Sequence, residues 1–381
     1  MPKQNKITQC SIKIPNNSII DWIIGSVADA GVDANATDPQ PLSAAKIPRV
    51  PSMMSEKPDY EKYFVPQAVS IGPYHFGELK LQMLEKRKPE FAMKLFSNDK
   101  EALTSLYEKL GDPEMVKDLR SFYEEGSTTK YCDKVFTKMM LLDACFILYL
   151  INSVFDRNIR STFPLHMVPI LCIDLFLLEN QIPFKVLSPK RTWLESILCI
   201  RSDQRSGEQR QKSELIGGKE PDHLLHLLHR SHTTRNIYID PFGDLNQNYI
   251  YKSNNFPNVN QLLDVGIRFK PSDHTISLEH FDFSKGWCGF SIAVQLPPMD
   301  VTGYTKPILI NLIAYEMYSG EDDWVTSYVC LLHSLIGDHE DVKVLTKAGV
   351  LENWLGTDSE VVELFREGPN YLHTQFAYLH T

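Results

Sequence analysis

Five prolines, Pro48, Pro51, Pro58, Pro66 and Pro73, fall between Ile47 and Gly77. Each removes a backbone N–H and fixes φ, so no long helix forms across this stretch. The same stretch carries Tyr63, Phe64, Val65, Val69, Ile71, Tyr74 and Phe76. A segment that cannot bury these side chains by coiling must lay them on something else. An extended, ordered strap over 46–77 is therefore expected, packed against helices supplied by the rest of the chain, with Val69, Ile71 and Tyr74 meeting the helices that contain Phe146 and Leu177.

The helices are written downstream. Leu79–Phe96 is one, and Ala102–Phe122 is a second with an interruption at Gly111–Pro113. In the third, Tyr131, Val135, Met139 and Leu142 recur at steps of 4, 4 and 3, one face of a helix. It then runs apolar on all sides to Phe155, as a central buried helix does. Ile170–Asn180 is a fourth, and Pro183 begins a fifth that reaches Ile200. Residues 201–221 hold almost no large apolar side chain and read as a flexible linker. Beyond them come a short helix at Asp222–Arg230, strand-like stretches at Ile276–Phe283 and Gly289–Leu296, and helices at Ile308–Met317, Trp324–Ile336, Asp338–Ala348 and Asp358–Arg366. Gly349 is a C-cap residue for the third of these. The fold class read here is mainly α: a multi-helix globular fold with a small antiparallel β element between 236 and 300. The organisation is a poorly ordered lead-in at 1–45 with a short helix at Ile19–Ala28, a first half at 46–200, a linker at 201–221, and a second half at 222–381 packed with the first as one domain.

Composition narrows the function classes. Lys plus Arg is 39 against 48 for Asp plus Glu, a net charge of −9. With no basic run, the electrostatic footprint of a nucleic-acid binder is missing, and no nucleic-acid partner is expected. The seven cysteines are odd in number and widely spaced, without C-x-x-C. They point to a reducing compartment rather than a disulfide scaffold, the sequons at Asn16 and Asn35 matter only in a secreted chain, and the chain is expected in the cytoplasm or peripheral to the plasma membrane. The longest apolar runs, Met139–Ile151 and Val168–Leu178, are broken by Asp143 and Asp174. Both fall short of the roughly 18–20 residues that span a bilayer, and a soluble chain with no membrane partner is expected.

Several motif fragments are incomplete. His223, His226, His229 and His232 recur every third residue, but the spacing drifts around a helix, so no metal is assigned. Gly289-Phe-Ser-Ile-Ala293 lacks the last glycine and the strand-turn-helix of a nucleophile elbow. Asp322-Asp-Trp-Val-Thr326 lacks a closing carboxylate and reads as a helix start. His339-Glu-Asp-Val-Lys343 has Lys343 where a zinc protease needs histidine. Gly217-Gly-Lys219 lacks the remainder of a phosphate-binding loop. No cofactor is expected.

Polar residues inside apolar runs carry more. Glu179, Asn180 and Gln181 follow Asp174-Leu-Phe-Leu-Leu; Asp143 sits in Leu-Leu-Asp-Ala-Cys-Phe; Glu85 follows Leu-Gln-Met-Leu. A buried charge is costly unless paired. The reading is a structural polar cluster at Glu179, Asn180 and Gln181 that ties helix ends to the strap. The sharper alternative is an acid–base site drawn from His75, Glu85, Asp143 and Glu179, with His75 or Tyr74 as partner.

These segments resemble a known family. Ile47-Pro-Arg-Val-Pro51, Tyr63-Phe-Val-Pro66, Val69-Ser-Ile-Gly-Pro-Tyr-His-Phe-Gly77 and Met83-Leu-Glu85 with Lys88 are similar to the opening signature of the plant domain of unknown function 247. Leu142–Leu148, Asp174–Phe184, Leu262–Lys270, Asn311–Glu316, Val325–Tyr328 and the segment DVKVLTKAGVLENWLG extend the likeness over 47–366. The resemblance implies a plant source, a mainly helical fold and no established activity. Some grass members are associated with self-incompatibility, and typical members end in a membrane-anchoring helix, which this sequence lacks after Phe365. Lys185 and Phe76 depart from the usual aromatic and histidine at their positions. Three functions follow as expectations: an interaction or recognition module with a protein partner, possible in reproduction; an enzyme with an unrecognised site; and a paralogue that has lost its role.

Overall fold

The computed structural model describes Ile23, 45–155, 163–187, 220–233, 257–272, 277–278, 282–285, 292–319 and 323–367. The chain divides into two compact units. The first comprises Met1–Pro51, Pro58–Ile197 and Glu220–Leu227, and the second Ser52–Lys57, Leu198–Lys219 and Leu228–Thr381.

In the first unit the strap has only one short helix, α2 (Tyr60–Tyr63); α1 (Ser52–Ser55) belongs to the second unit. The Leu79–Phe96 expectation needs correction. A 3-10 turn (Leu79–Leu81) leads into α3 (Gln82–Glu85), and a separate α4 runs Lys88–Leu95. Pro89 is the reason: it lacks an N–H and sits in the first turn of α4, where none is needed. The next pair, α5 (Lys100–Leu110) and α6 (Pro113–Arg120), breaks at Gly111–Asp112, and Asp112 caps α6 by accepting from Glu114 N and Met115 N. The central helix α7 (Asp133–Phe155) is buried at every residue from Val135 to Leu150, with α4 and α5 packed on it. Phe91 of α4 stacks on Tyr149 of α7 at 5.0 Å between ring centroids, and Phe146 and Phe163 close the cluster.

Two further expectations change. The stretch Asp133–Ser153 is long and apolar enough to cross a membrane, contrary to the length argument; its 18-residue apolar window is 89% buried inside the fold, as in a core helix. The helix expected at Ile170–Asn180 is α8, Met167–Asp174. It ends early: a side-chain amide takes the carbonyl of its last residue, Asp174, and another takes carbonyls beyond it, as described below. From Pro183 only a 3-10 turn, Phe184–Val186, lies in the described residues. Of the short helix at Ile19–Ala28 only Ile23 is described, helical and buried. The linker at 201–219 lies outside the described residues.

Helix α9 (Leu224–Thr233) contains the division between units. In the second unit α10 (Val259–Asp264) leads into β1 (Ile267–Pro271), followed by β2 (Asp282–Lys285), β3 (Ile292–Leu296) and β4 (Met299–Val301). Then come α11 (Thr305–Ser319), α12 (Trp324–Leu335), α13 (His339–Lys347), β5 (Leu351–Asn353) and α14 (Asp358–Glu367). The β element is mixed rather than antiparallel: β3 pairs parallel with β1 and antiparallel with β2, and β4 pairs parallel with β5. The parallel partners are separated by crossover segments, which a local period-two pattern does not encode. Gly349, at φ +77°, ends α13; its N–H bonds Thr346 O and Val350 N bonds Leu345 O. Cys132 is disulfide-bonded, while Cys145, Cys172 and Cys330 are free.

Candidate functional site

A non-helical strap leaves backbone N–H groups that need acceptors once buried. Asp174, at the end of α8, accepts from Gln67 N at 3.0 Å, Ala68 N at 2.7 Å and Val69 N at 2.9 Å. Asn180 Oδ1 accepts from Ile71 N at 2.7 Å, and its amide donates to Val69 O and Asp174 O. Asp143, projecting from α7, accepts from Gly72 N at 2.7 Å. Glu179 accepts from Val50 N at 2.8 Å and Arg49 Nη1 at 3.3 Å. The side-chain amide of Gln181 donates to Leu175 O and Leu177 O, and its oxygen accepts from Leu225 N. Asn180 and Gln181 thus supply donors to carbonyls after α8, which is why no further helical turn is needed there.

Aromatic hydroxyls complete the fastening. Tyr74 donates to Ile47 O, Tyr123 to Gln181 O, and Tyr131 to Pro73 O. Gly72 is at φ +76°, and a Cβ there would lie 2.3 Å from Gln181 O. Only glycine combines that backbone with that approach.

Beneath the strap lies a buried charge cluster. Lys88 Nζ is 2.5 Å from both Asp143 Oδ1 and Glu85 Oε2 and 2.7 Å from Ser70 O. Burial pulls the Lys88 ammonium down, but Asp143 and Glu85 outweigh it and hold it above its ordinary value. Burial pushes the Asp143 carboxyl up, with Glu85 adding to the rise and the Lys88 ammonium and Gly72 N–H opposing it. In the sequence Lys88 stands out only as part of the family signature with Met83-Leu-Glu85; in the fold it holds Glu85 and Asp143 together.

His75 and Glu179 form the outer group. His75 Nδ1 is 2.6 Å from Glu78 Oε1, and Nε2 faces Glu179 Oε2 at 3.7 Å. Arg49 lies over the Tyr74 ring at 4.5 Å. Burial and the charge of Glu179 raise the Tyr60 phenol to about 12. The four acid–base candidates therefore fall into two pairs, His75 with Glu179 and Glu85 with Asp143.

The second unit repeats the device. Glu316 Oε1 accepts from Val325 N at 2.9 Å and pairs with His229 Nε2 at 2.8 Å. Its Oε2 accepts from Thr326 N and Thr326 Oγ1. Glu316 thereby caps α12, whereas Asp323 makes no side-chain cap bond. Asp341 Oδ1 accepts from Asn260 N, and its Oδ2 from Gly337 N and Asp338 N. Both acids sit inside resemblance segments, and the signal that could have found them is a lone carboxylate in an apolar or helix-start setting.

The histidines of the row have separate partners. His223 Nε2 donates to Lys46 O, and its Nδ1 accepts from His226 N. His226 Nδ1 accepts from Asp222 N. Among the described residues no three His, Cys, Asp or Glu side chains converge to hold a metal ion. Ser291 and Gly217–Lys219 lie outside the described residues. Lys185 pairs with Asp118 and lies over the Phe122 ring, and Phe76 packs edge-on against Tyr131.

The family described as a plant protein of unknown function, domain of unknown function 247, matches residues 47–374. The UPF0481 protein At3g47200 of Arabidopsis thaliana is 29% identical over 344 residues, covering 80% of this chain and 68% of that protein. The putative UPF0481 protein At3g02645 of the same plant is 35% identical over 111 residues, 29% of this chain and 20% of that protein. No solved structure matches.

Proposed function

This chain belongs to the plant domain of unknown function 247 family, and on that premise we propose that it acts as an interaction and recognition module with a protein partner. One observation carries the reading. Both oxygens of Asp143, Asp174, Glu179, Glu316 and Asp341 are engaged by backbone N–H groups or side-chain donors of the fold. Carboxylates used this way rigidify a surface rather than exchange protons with a substrate. A strap held at so many points presents its exposed side chains with little ordering cost on binding. Reproductive self-recognition is the setting that the family resemblance suggests for such a module.

The test is Glu179→Gln, read by thermal unfolding, by partner capture from pollen, stigma and leaf, and by turnover on a panel of hydrolase and transferase substrates. The module reading expects a lower melting temperature together with weaker capture. An unchanged melting temperature with loss of a measurable turnover replaces it with the acid–base reading at His75 and Glu179.

A further inference from the structure

Two exposed apolar features of opposite electrostatic setting stand on the two units. On the first, Leu79 is 83% exposed and Met83 63% exposed. They are four residues apart, one opening the 3-10 turn and the other on α3, and both face solvent. Lys80 and Lys86 are exposed beside them, and Arg87 is half-exposed. Lys80 reaches Glu78 at 3.7 Å and Arg87 reaches Glu90 at 3.4 Å, surface pairs that a partner's acids can displace at small cost. The opposite side of the same short helix is pinned: Leu84 is buried, and Glu85 is held by Lys88 and Ser70. The rotation that turns Leu79 and Met83 outward is therefore fixed before any partner arrives.

On the second unit Trp354 is 66% exposed. Its backbone is fixed, because its N–H donates to Val301 O at the end of the β4–β5 pair. The following segment is acidic: Asp358 and Glu360 begin α14, and Glu360 and Glu363 are exposed. Arg366 is the exposed cation of that helix. Large exposed aromatics and methionines with charged rims are the composition of interface centres rather than of ordinary surface.

We propose that these features dock on one another between two copies of the chain, with Leu79 and Met83 of one copy against Trp354 of the next, and Lys80, Lys86 and Arg87 facing Glu360 and Glu363. The inference rests on the recognition-module reading and names a second copy of this chain as a partner. Charge complementarity is the argument for that occupant: copies of net charge −9 repel at long range, and a local basic surface meeting a local acidic one offsets that repulsion at contact. The contact is heterologous, because different surfaces meet, and each assembly keeps one unused surface at each end unless it closes into a ring.

The experiment is sedimentation velocity of the full chain over a wide concentration range at low and high salt. The average mass is expected to rise with concentration and to fall in high salt. The double variant Leu79→Glu/Met83→Glu and the single variant Trp354→Ala are each expected to remain monomeric. Mixed together they are expected to give a discrete one-to-one pair, because each retains one intact surface. Glu363→Lys, on an exposed position, weakens association about tenfold or more without lowering the melting temperature. A wild-type chain that stays monomeric at every concentration overturns the proposal, as does assembly untouched by these variants or a mixture that does not pair. Binding to vesicles of phosphatidylserine in phosphatidylcholine that depends on Leu79 and Met83, without self-association, also overturns it and gives the surface to lipid. In each of those cases partner capture that still depends on Glu179 leaves the module reading standing.

Discussion

Lys88 and Asp143 meet at 2.5 Å with both side chains buried, 55 residues apart in sequence. Asp143 uses its other oxygen for Gly72 N, so a single carboxylate joins α4, α7 and the strap. The same economy recurs at Asp174, Glu179, Glu316 and Asp341, each of which serves a backbone that no regular element satisfies.

Truncating Asp143 to Ala leaves the buried Lys88 ammonium with Glu85 as its one remaining carboxylate and orphans Gly72 N–H. The expected loss is about 3–5 kcal/mol in denaturant unfolding. Lys88→Met combined with Asp143→Leu and Glu85→Gln is expected to cost less than Asp143→Ala alone, because all three charges of the cluster leave together. Additive losses in that pair of measurements count against a coupled cluster.

Gly72→Ala forces an alanine into positive φ and drives its Cβ toward Gln181 O. Both effects act together, and a loss of at least about 2 kcal/mol is expected. A neutral substitution there means that the strap does not lie as described.

Acid sensitivity follows from His223. Burial first, and then the neighbouring His226, lower its pKa from 6.5 to about 3. The folded state therefore binds fewer protons than the unfolded state between those values, so stability falls as pH drops from 6.5 toward 3. His223→Gln is expected to flatten that part of the stability curve, measured by urea unfolding at stepped pH. An unaltered slope in the variant places the acid sensitivity elsewhere.

Glu316→Ala removes the acceptor for Val325 N and Thr326 N at the start of α12. A loss of about 1–3 kcal/mol is expected, with faster amide exchange at those two residues. Exchange unchanged at both positions rules out Glu316 as the cap.

Much of this was legible in residues whose signals are local. Gly111–Pro113 reads as an interruption between two helices, and the strap's prolines forbid a long helix without any knowledge of its neighbours. Val135–Leu150 announces a buried helix because no polar face interrupts it apart from a few single residues. What stayed hidden depends on partners distant in sequence. Lys88 stands in a Lys-Arg-Lys run that looks solvated, and only Asp143 and the strap carbonyl of Ser70 make it a core residue. The polar cluster at Glu179–Gln181 was legible as a tie at a helix end, but not that α8 stops at Asp174, whose carbonyl accepts from Asn180 while Gln181 serves Leu175 O and Leu177 O beyond it. The parallel pairing of β1 with β3 is likewise set by how the intervening chain crosses over.

The most direct test of the account is amide hydrogen exchange along the strap. If buried carboxylates fasten it, the amides of Ala68, Val69 and Gly72 exchange only through opening events nearly as costly as global unfolding. Asp174→Ala should then release Ala68 and Val69 while the amides of α7 keep their protection. Rapid exchange of these strap amides in the unaltered chain, or protection that survives Asp174→Ala, contradicts the claim that these acids serve the backbone.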